Sequence, residues 1–363
     1  MNPKQTRRRF LTLPALALAG LAALGAPPAS AQTVVVKMAT LAPDGSEWHT
    51  ILKTMGEKWK TASGGKVDLK IYAGSVAGDD TDVVRKMRLG SLNAGMLTSA
   101  GVSSVDKTIF ALQIPMLYSS YDEVDYVLGK MEGRIKASLE EKGFVVLNFV
   151  DAGWVHFFTK TPVKTPDDLK PLKLFSWAGD DKALEVWKGA GFNPVPLPST
   201  EISTALKTGL VNALPTTPQA AVILQWYNDA RNMTQVRWAL LVGATLINKS
   251  TWEKIPAELR PALLAAAEEA GKKLRTDIRA AGDRDLVAMQ KRGLNVIPVD
   301  AAVEAQWRSV AEAAYPRIRG PIIPADAFDE ARKHLADFRA QKAPAAPPAA
   351  APAAPAKPAP KKG

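Results

Sequence analysis

The feature that most constrains the fold is the order of apolar patterns between residues 161 and 215. Residues 173–175 predict a short strand, and residues 195–197, bounded by prolines, predict another. Between them lies a run of apolar residues at helical spacing: Ala183, Leu184, Val186, Trp187 and Ala190. Gly191 ends this helix, and a second helix begins with the polar residues 199–201 and stops at Gly209. The strand–helix–strand–helix order predicts an α/β fold.

The same alternation continues along the chain. Residues 34–38 and 67–72 predict strands, and helical spacing follows Asp44, Thr81 and Tyr121. Residues 144–150 are almost continuously apolar, which is typical of a strand covered on both faces. We therefore expect parallel sheets with helices on both sides.

The length of the chain favours two domains. Roughly 300 residues between the two termini are long for a single core. We predict a first domain from residues 32–152 plus about 242–280, and a second from residues 153–241 plus about 281–340. Ligand pockets favour such domain interfaces.

One long helical pattern covers residues 258–292, with no strong breaker after Pro261. At ~1.5 Å per residue it would be roughly 50 Å long, more than one small domain across. The alternative is two ordinary helices that are broken near Gly282.

The N-terminus predicts export. Three arginines at residues 7–9 precede an apolar run at residues 11–26, and the small residues Ala29-Ser30-Ala31 follow. The run is shorter than the ~20 residues of a transmembrane helix. We predict a signal peptide over residues 1–31 and a periplasmic protein. The paired arginines before Phe10 favour the twin-arginine route, with an ordinary Sec signal as the alternative.

Composition excludes several classes of function. The chain has no cysteine, so thiol catalysis and cysteine-based metal sites are absent. The net charge of +11 falls to +3 without the four basic residues of the leader and the four of residues 341–363. No basic footprint for nucleic acid remains. Residues 341–363, rich in Ala, Pro and Lys, predict an extended spacer, or else a segment that attaches weakly to anionic surfaces.

Several motifs together resemble a known family. They are PVKTPDDL at residues 162–169, GFNPVPLP at 191–198, TALKTGLVNA at 204–213, LQIPMLY at 112–118 and INKSTW at 247–252. In this order they resemble the solute-binding proteins of TRAP (tripartite ATP-independent periplasmic) transporters, of the DctP kind, over roughly residues 34–338. The resemblance implies a two-lobed periplasmic-binding-protein-like α/β fold in which the long helix spans both domains. It also implies a monomer without a cofactor that delivers a small organic solute to a TRAP-type membrane permease.

The chain departs from this family where the cargo is held. The family usually has Lys, then Ile or Val, then Arg, where this chain has Lys173-Leu174-Phe175. Phe175 thus occupies the place of an arginine that pairs with a substrate carboxylate, and Val155 stands where a second arginine is often found. Burial of an anion without a paired donor is costly. We therefore expect a cargo that is apolar, aromatic or weakly polar, rather than a simple dicarboxylate.

Aromatic residues cluster in the segments expected at the cleft. Rings offer apolar area and a π face for a hydrophobic, aromatic or cationic ligand. The predicted ligand-binding residues are Phe175, Trp177, Trp154, Phe157, Trp48, Trp226, Thr216 and Asn248. The alternative for each aromatic residue is ordinary core packing. The acidic pair Asp180-Asp181 fits either a cationic ligand or a helix cap.

Catalytic and metal sites are not expected. The three histidines have no paired spacing, and no nucleophile-elbow, zinc or dinucleotide motif is present. The alternatives to transport are a stand-alone carrier or sensor subunit for a lipid-like or organic-acid ligand, and an enzyme on the same scaffold.

Overall fold

The structure is a computed structural model that describes residues 33–342. The predicted signal peptide and residues 343–363 of the predicted tail lie outside the described residues. Residues 341 and 342, which were assigned to the tail, instead form the end of the last helix, where Gln341 Nε2 donates to the Tyr126 hydroxyl at 3.1 Å.

Five strands follow the predicted positions, at residues 34–40, 67–72, 144–159, 173–177 and 193–197, and most of them are longer than predicted; the other four strands of the described residues were not predicted. The strands in chain order are β1 Val34–Thr40, β2 Val67–Tyr72, β3 Ala94–Thr98, β4 Phe144–Thr159, β5 Lys173–Trp177, β6 Asn193–Leu197, β7 Ala213–Thr216, β8 Asn232–Asn248 and β9 Asn295–Ile297.

Twelve α-helices lie within residues 33–342. They are α1 Glu47–Ala62, α2 Asp80–Arg88, α3 Ser99–Ser103, α4 Tyr121–Glu141, α5 Pro166–Leu169, α6 Asp181–Gly189, α7 Ile202–Thr208, α8 Pro218–Ile223, α9 Lys249–Lys254, α10 Arg260–Lys291, α11 Ala301–Ile318 and α12 Ala325–Lys342. Short 3-10 helices occur at Lys107–Gln113, Ser199–Glu201 and Trp226–Asn228.

Local chemistry explains where these helices begin and end. At α1, Ser46 caps the N-terminus by accepting a hydrogen bond from His49 N, and Glu47 complements the helix dipole. At α7, Gly209 ends the helix in the left-handed conformation at φ 73°, where a side chain would be strained. The predicted helix stop at Gly209 is confirmed.

The sheet is mixed, and the prediction of parallel pairing holds only for part of it. The strand order is β2-β1-β3-β8-β4-β7-β5-β6, with β9 beside β8. Pairing is parallel among β1, β2 and β3 and among β5, β6 and β7, but β8 is antiparallel to β3 and β4, and β4 to β7. The apolar run at residues 144–150 correctly indicates that this strand is buried. It does not indicate whether the neighbouring strand runs parallel or antiparallel to it, which depends on the partner.

The long strands β4 and β8 run through both halves of the molecule. The late part of β8 pairs with β3, whereas the late part of β4 pairs with β7. We call the half of the molecule with β1–β3 the first lobe and the half with β5–β7 the second lobe. The pairing of β4 with β8 shifts register between Asp151 and Trp154, where Gly153 adopts φ 91°. Such a bulge bends the strand where the lobes meet.

Helix α10 is a single helix across both lobes. Leu263 and Leu274 lie in the core that α1 and β1 form, whereas Met289 lies in the core of the second lobe. Gly282 remains inside the helix, so the alternative of two separate helices is wrong.

The last helix corrects one domain assignment. Residues 281–340 were assigned to the second domain, but α12 packs against α4 in the first lobe. The reason is its apolar face, which joins the core of that lobe through Ala327, Phe328, Ala331 and Leu335. Within residues 33–342, no helix has both the length and the hydropathy that a membrane crossing requires.

Candidate functional site: a cavity between the lobes

A cavity of about 730 Å³ lies between the two lobes. Its wall includes the region where β4 and β8 bend, with Val150, Val155 and Val242. Further wall residues come from the carboxyl ends of β1, β3 and β5, the edge of a sheet where ligands commonly bind. Its size is that of a pocket for a small organic molecule.

Two predicted site residues line the cavity from β5. Phe175 is buried, and its ring meets the ring of Trp177 edge-to-face with centroids 5.5 Å apart. Trp177 is only half-buried, because it is the last residue of β5 and lies over the open space. Phe175 therefore serves both the core and the cavity wall, whereas Trp177 serves mainly the wall.

Three more predicted residues line the cavity, and two have their polar atoms already bonded. Trp48 Nε1 donates to Gln219 Oε1 at 3.1 Å, and Trp226 Nε1 donates to Ser203 Oγ at 3.1 Å. Thr216, at the end of β7, is buried in the wall. Ligand contact by these five residues stays a prediction.

The other three predicted residues lie outside the cavity. Phe157 is fully buried beneath α11, where it stacks on Trp307 with centroids 4.9 Å apart. Trp154 packs on Tyr121 with centroids 5.5 Å apart. Asn248 Nδ2 donates to the carbonyls of Met87 and Leu92, at 2.8 and 3.3 Å. These contacts give the three residues structural roles outside the lining, and ligand contact by them stays a prediction.

Helix α6 contributes wall residues that were not among the predicted site residues. None of its residues is buried, although its sequence is amphipathic, because its apolar face borders the cavity through Ala183, Val186 and Trp187. The Trp187 ring stacks on Trp238, another wall residue, with centroids 5.5 Å apart. The helical spacing of these residues was visible in the sequence, but an apolar face looks the same whether it covers a core or a cavity.

The charged residues of the wall are mostly acidic. In the described part of the chain the lining contains Asp79, Asp80, Asp151 and Asp180, with Lys107 as the one basic residue and no arginine. Asp151 bonds Arg279 at 2.7 Å, yet burial still raises the pKa of that carboxyl. Asp180 accepts a hydrogen bond from Ala183 N at 3.1 Å and caps α6. This is the helix-cap alternative of the two that the sequence left open for this residue.

Asp80 is the acid with the most unusual surroundings. It is 1% exposed, and its Oδ2 accepts hydrogen bonds from Thr98 N at 2.8 Å and from Thr98 Oγ1 at 2.6 Å. Burial raises the pKa of this carboxyl to about 7, although the two bonds from Thr98 act in the opposite direction.

Two hydrogen-bonded pairs join the lobes directly. Asp79, which caps α2 in the first lobe, accepts from Ser199 N at 3.0 Å and from Ser199 Oγ at 2.7 Å in the second lobe. The Trp48–Gln219 bond also connects α1 with α8. The lobes are thus held against each other around the cavity. Over residues 33–342, no cluster of three or more His, Asp or Glu is arranged to hold a metal ion.

Two α/β lobes that share a sheet and enclose a cavity define the class of two-lobed solute-binding proteins. The chain belongs to the DctP family, described as bacterial extracellular solute-binding protein, family 7, which it matches over residues 38–319. The members of this family are binding proteins.

Curated relatives share about a quarter of their residues with this chain. The 2,3-diketo-L-gulonate-binding periplasmic protein YiaO of Escherichia coli K12 is 27% identical over 285 residues, or 78% of this chain and 86% of the relative. The C4-dicarboxylate-binding periplasmic protein DctP of Rhodobacter capsulatus is 28% identical over 292 residues, or 78% and 86% of the two chains.

Solved structures confirm the two-lobed fold. A TRAP periplasmic solute-binding protein from Xanthobacter autotrophicus Py2, with bound β-D-galacturonate, has a TM-score of 0.76 at 22% identity and covers 83% of this chain and 99% of its own. The TRAP protein from Sulfurospirillum deleyianum, with bound succinate, has a TM-score of 0.76 at 21% identity and covers 84% and 99%.

Proposed function

We propose that this protein captures a small organic solute between its lobes and delivers it to a TRAP-type integral membrane permease. Family membership and the cavity enclosed by both lobes support this role. We place the protein in the periplasm, as the names of both curated relatives do for them, and expect it to act as a monomer. Export would use Arg7 and Arg8 as a twin-arginine pair, with the Sec route as the alternative; both residues lie outside the described residues.

We propose further that the cargo is largely apolar or aromatic. The observation that carries this is the absence of arginine from the cavity lining within residues 33–342, together with Phe175 and Val155 in the wall. A buried carboxylate needs a charge-assisted donor, for which arginine is the usual choice. The relatives hold galacturonate or succinate. The lining described here offers those acids no arginine, and its one basic residue is Lys107.

Because β4 and β8 run through both lobes, bending of these two strands would open and close the cavity during the binding cycle. Opening would separate Asp79 from Ser199, with β4 and β8 bending near the bulge at Gly153. A ligand that contacts both lobes favours the closed state, because it binds that state more tightly. We place the boundary between the lobes at this bulge and at the adjacent part of β8.

Two measurements test the proposal. Mass spectrometry of protein purified from its native periplasm should identify an apolar or aromatic compound. Calorimetry with succinate and D-galacturonate should show no saturable binding. Micromolar affinity for either acid would contradict the apolar cargo.

Variants test the location of the site. Trp177→Leu should weaken binding of the identified compound by about 1–2 kcal/mol, because ring contact is lost. Tyr72→Leu is the matched control, since Tyr72 is 38% exposed and does not line the cavity. Equal effects of the two variants would place the ligand elsewhere.

A further inference from the structure

The cavity continues beyond the strand ends into a space between α6, the second half of α11 and the 3-10 helix Lys107–Gln113. The Tyr315 hydroxyl of α11 donates to the Pro115 carbonyl at 2.7 Å, which holds α11 beside the segment that follows the 3-10 helix. At Gly189 of α6, an added Cβ would overlap the Arg317 guanidinium, so α6 and α11 are in close contact. We call this space the α11 chamber and define it by six residues of the cavity lining: Phe110, Val186, Val310, Ala314, Ile318 and Ile322.

The wall of the α11 chamber consists of hydrocarbon side chains. Phe110, Val186 and Ile322 pack against the core of the first lobe but are only half-buried. Their remaining surface borders the cavity. An apolar group that covers such a wall gains affinity because apolar surface leaves water, at about fourfold for each buried methylene. The chamber therefore suits an aliphatic chain.

A basic residue, Lys107, lies at the rim of the α11 chamber. It lines the cavity and is exposed to solvent. Within residues 33–342, its ammonium bonds only the carbonyl of Pro321, which directly precedes Ile322, at 3.5 Å, and forms no ion pair. The adjacent acid, Asp106, is already paired with Lys142. The rim thus carries a cation that has no protein carboxylate as its partner.

The distribution of charge along the cavity favours an anion at this rim. Arg88 donates to the carbonyl of Ser104, another lining residue, at 3.0 Å and so brings a second cation close to it. The acids of the described lining come from the start of α2, from β4 and from the residue that caps α6, and none comes from α3, the 3-10 helix or α11. A negatively charged group is therefore attracted to Lys107 and repelled from the part of the cavity where the acids lie.

We propose that the α11 chamber holds the aliphatic chain of a monocarboxylate, whose carboxylate pairs with Lys107 at the rim. This inference rests on the proposed function and adds the chemical class of the cargo. Because Lys107 is exposed, the carboxylate stays partly hydrated there and avoids the cost of burying an anion. Succinate has no apolar chain, so the same lysine offers it only a weak surface ion pair.

Two series of probes test the inference on the unmodified chain at pH 7. Hexanoate, octanoate and decanoate share a head group and differ in chain length, and calorimetry should show each added pair of methylenes tightening binding about 15-fold. Octylamine and 1-octanol carry other head groups on the same chain as octanoate. Octanoate should bind about fivefold more tightly than octylamine, as an ion pair at an exposed site predicts.

Two variants locate the chain and the head group. Ala314→Phe places a ring in the chamber and should weaken decanoate binding about 10-fold. Ala313→Phe is its matched control, because Ala313 is exposed on the same helix and does not line the cavity. Lys107→Met should remove the preference for octanoate over octylamine and leave the affinity for 1-octanol unchanged. Lys53→Met is its control, because Lys53 is exposed on α1 outside the lining.

The outcomes separate this inference from the proposed function. Equal affinities along the chain-length series, or native decanoate binding by Ala314→Phe, would overturn the role of the chamber. If Ala314→Phe does not fold, the chain-length series still decides this point. A preference for octylamine, or a preference for octanoate that persists in Lys107→Met, would overturn the role of Lys107. An aromatic compound without a chain, found by mass spectrometry of the purified protein, would reject the chamber and keep the proposed apolar cargo, whereas a polar compound would reject both.

Discussion

The substitution Asp80→Asn should make the protein more stable at alkaline pH. Burial raises the pKa of this carboxyl from 3.8 to about 7, so the folded protein binds the proton more tightly than the unfolded chain does. The stabilisation from this proton is fully present below pH ~4 and is lost as the pH rises through ~7. Asparagine has a similar shape to the protonated acid and cannot ionise.

The size of the effect follows from the pKa difference. About three pKa units at ~1.4 kcal/mol each correspond to about 4 kcal/mol of lost stability in the native chain above pH 7. Asp80→Asn should therefore exceed the native chain by up to about 4 kcal/mol at pH 8 and match it near pH 4.

Urea unfolding of both proteins at pH 4 and pH 8 measures this difference, with equal denaturant slopes as the check that only stability has changed. Asp82→Asn is the control. The bond from Arg85 lowers the pKa of Asp82, so neutralisation of the Asp82 carboxylate cannot stabilise the fold. Equal stabilities of Asp80→Asn and the native chain at pH 8 would refute the reasoning. So would a stabilisation of the same size at both pH values.

Three further predictions address structural contacts. Asn248→Ala should lower the free energy of unfolding by about 1–3 kcal/mol without changing ligand affinity, because Asn248 bonds two backbone carbonyls outside the cavity; urea unfolding and calorimetry measure both. Ser199→Ala removes one of the two bonds to Asp79, so small-angle scattering of the ligand-free protein should show a more open average shape. Arg279→Met leaves Asp151 buried without its partner and should cost about 3–5 kcal/mol of stability in urea unfolding.

Each of these has a clear opposite result. Weaker ligand binding in Asn248→Ala would show that Asn248 contributes to the binding site. An unchanged scattering curve for Ser199→Ala would mean that the Trp48–Gln219 bond and packing suffice to keep the lobes together. Native stability of Arg279→Met would show that water reaches the Asp151 carboxylate.

The sequence predicted the elements of the fold better than their arrangement. Apolar periodicity and glycine stops located α1, α6 and α7 because these signals are local. Strand direction in β4 and the position of α12 depend on contacts between distant segments, which periodicity does not record.

The same distinction applies to the cavity. Phe175 and Trp177 were predicted because the family resemblance places Phe175 at a ligand-binding position and because aromatic residues cluster in that segment. Phe157 lies outside the lining, stacked on Trp307, and nothing in β4 indicates that a residue 150 positions later covers it. Asp80 was missed because an acid at a helix N-terminus resembles an ordinary cap until its burial is known.

The route of the chain between the lobes sets the order in which the protein can mature during synthesis. The first lobe needs the late part of β8, much of α10 and, last of all, α12, which ends at Lys342. An N-terminal domain normally folds while the ribosome is still making the rest of the chain. Here the N-terminal lobe lacks its last helix until Lys342 has been made, whereas α11 of the second lobe ends at Ile318, so the N-terminal lobe is the later of the two to acquire all its elements.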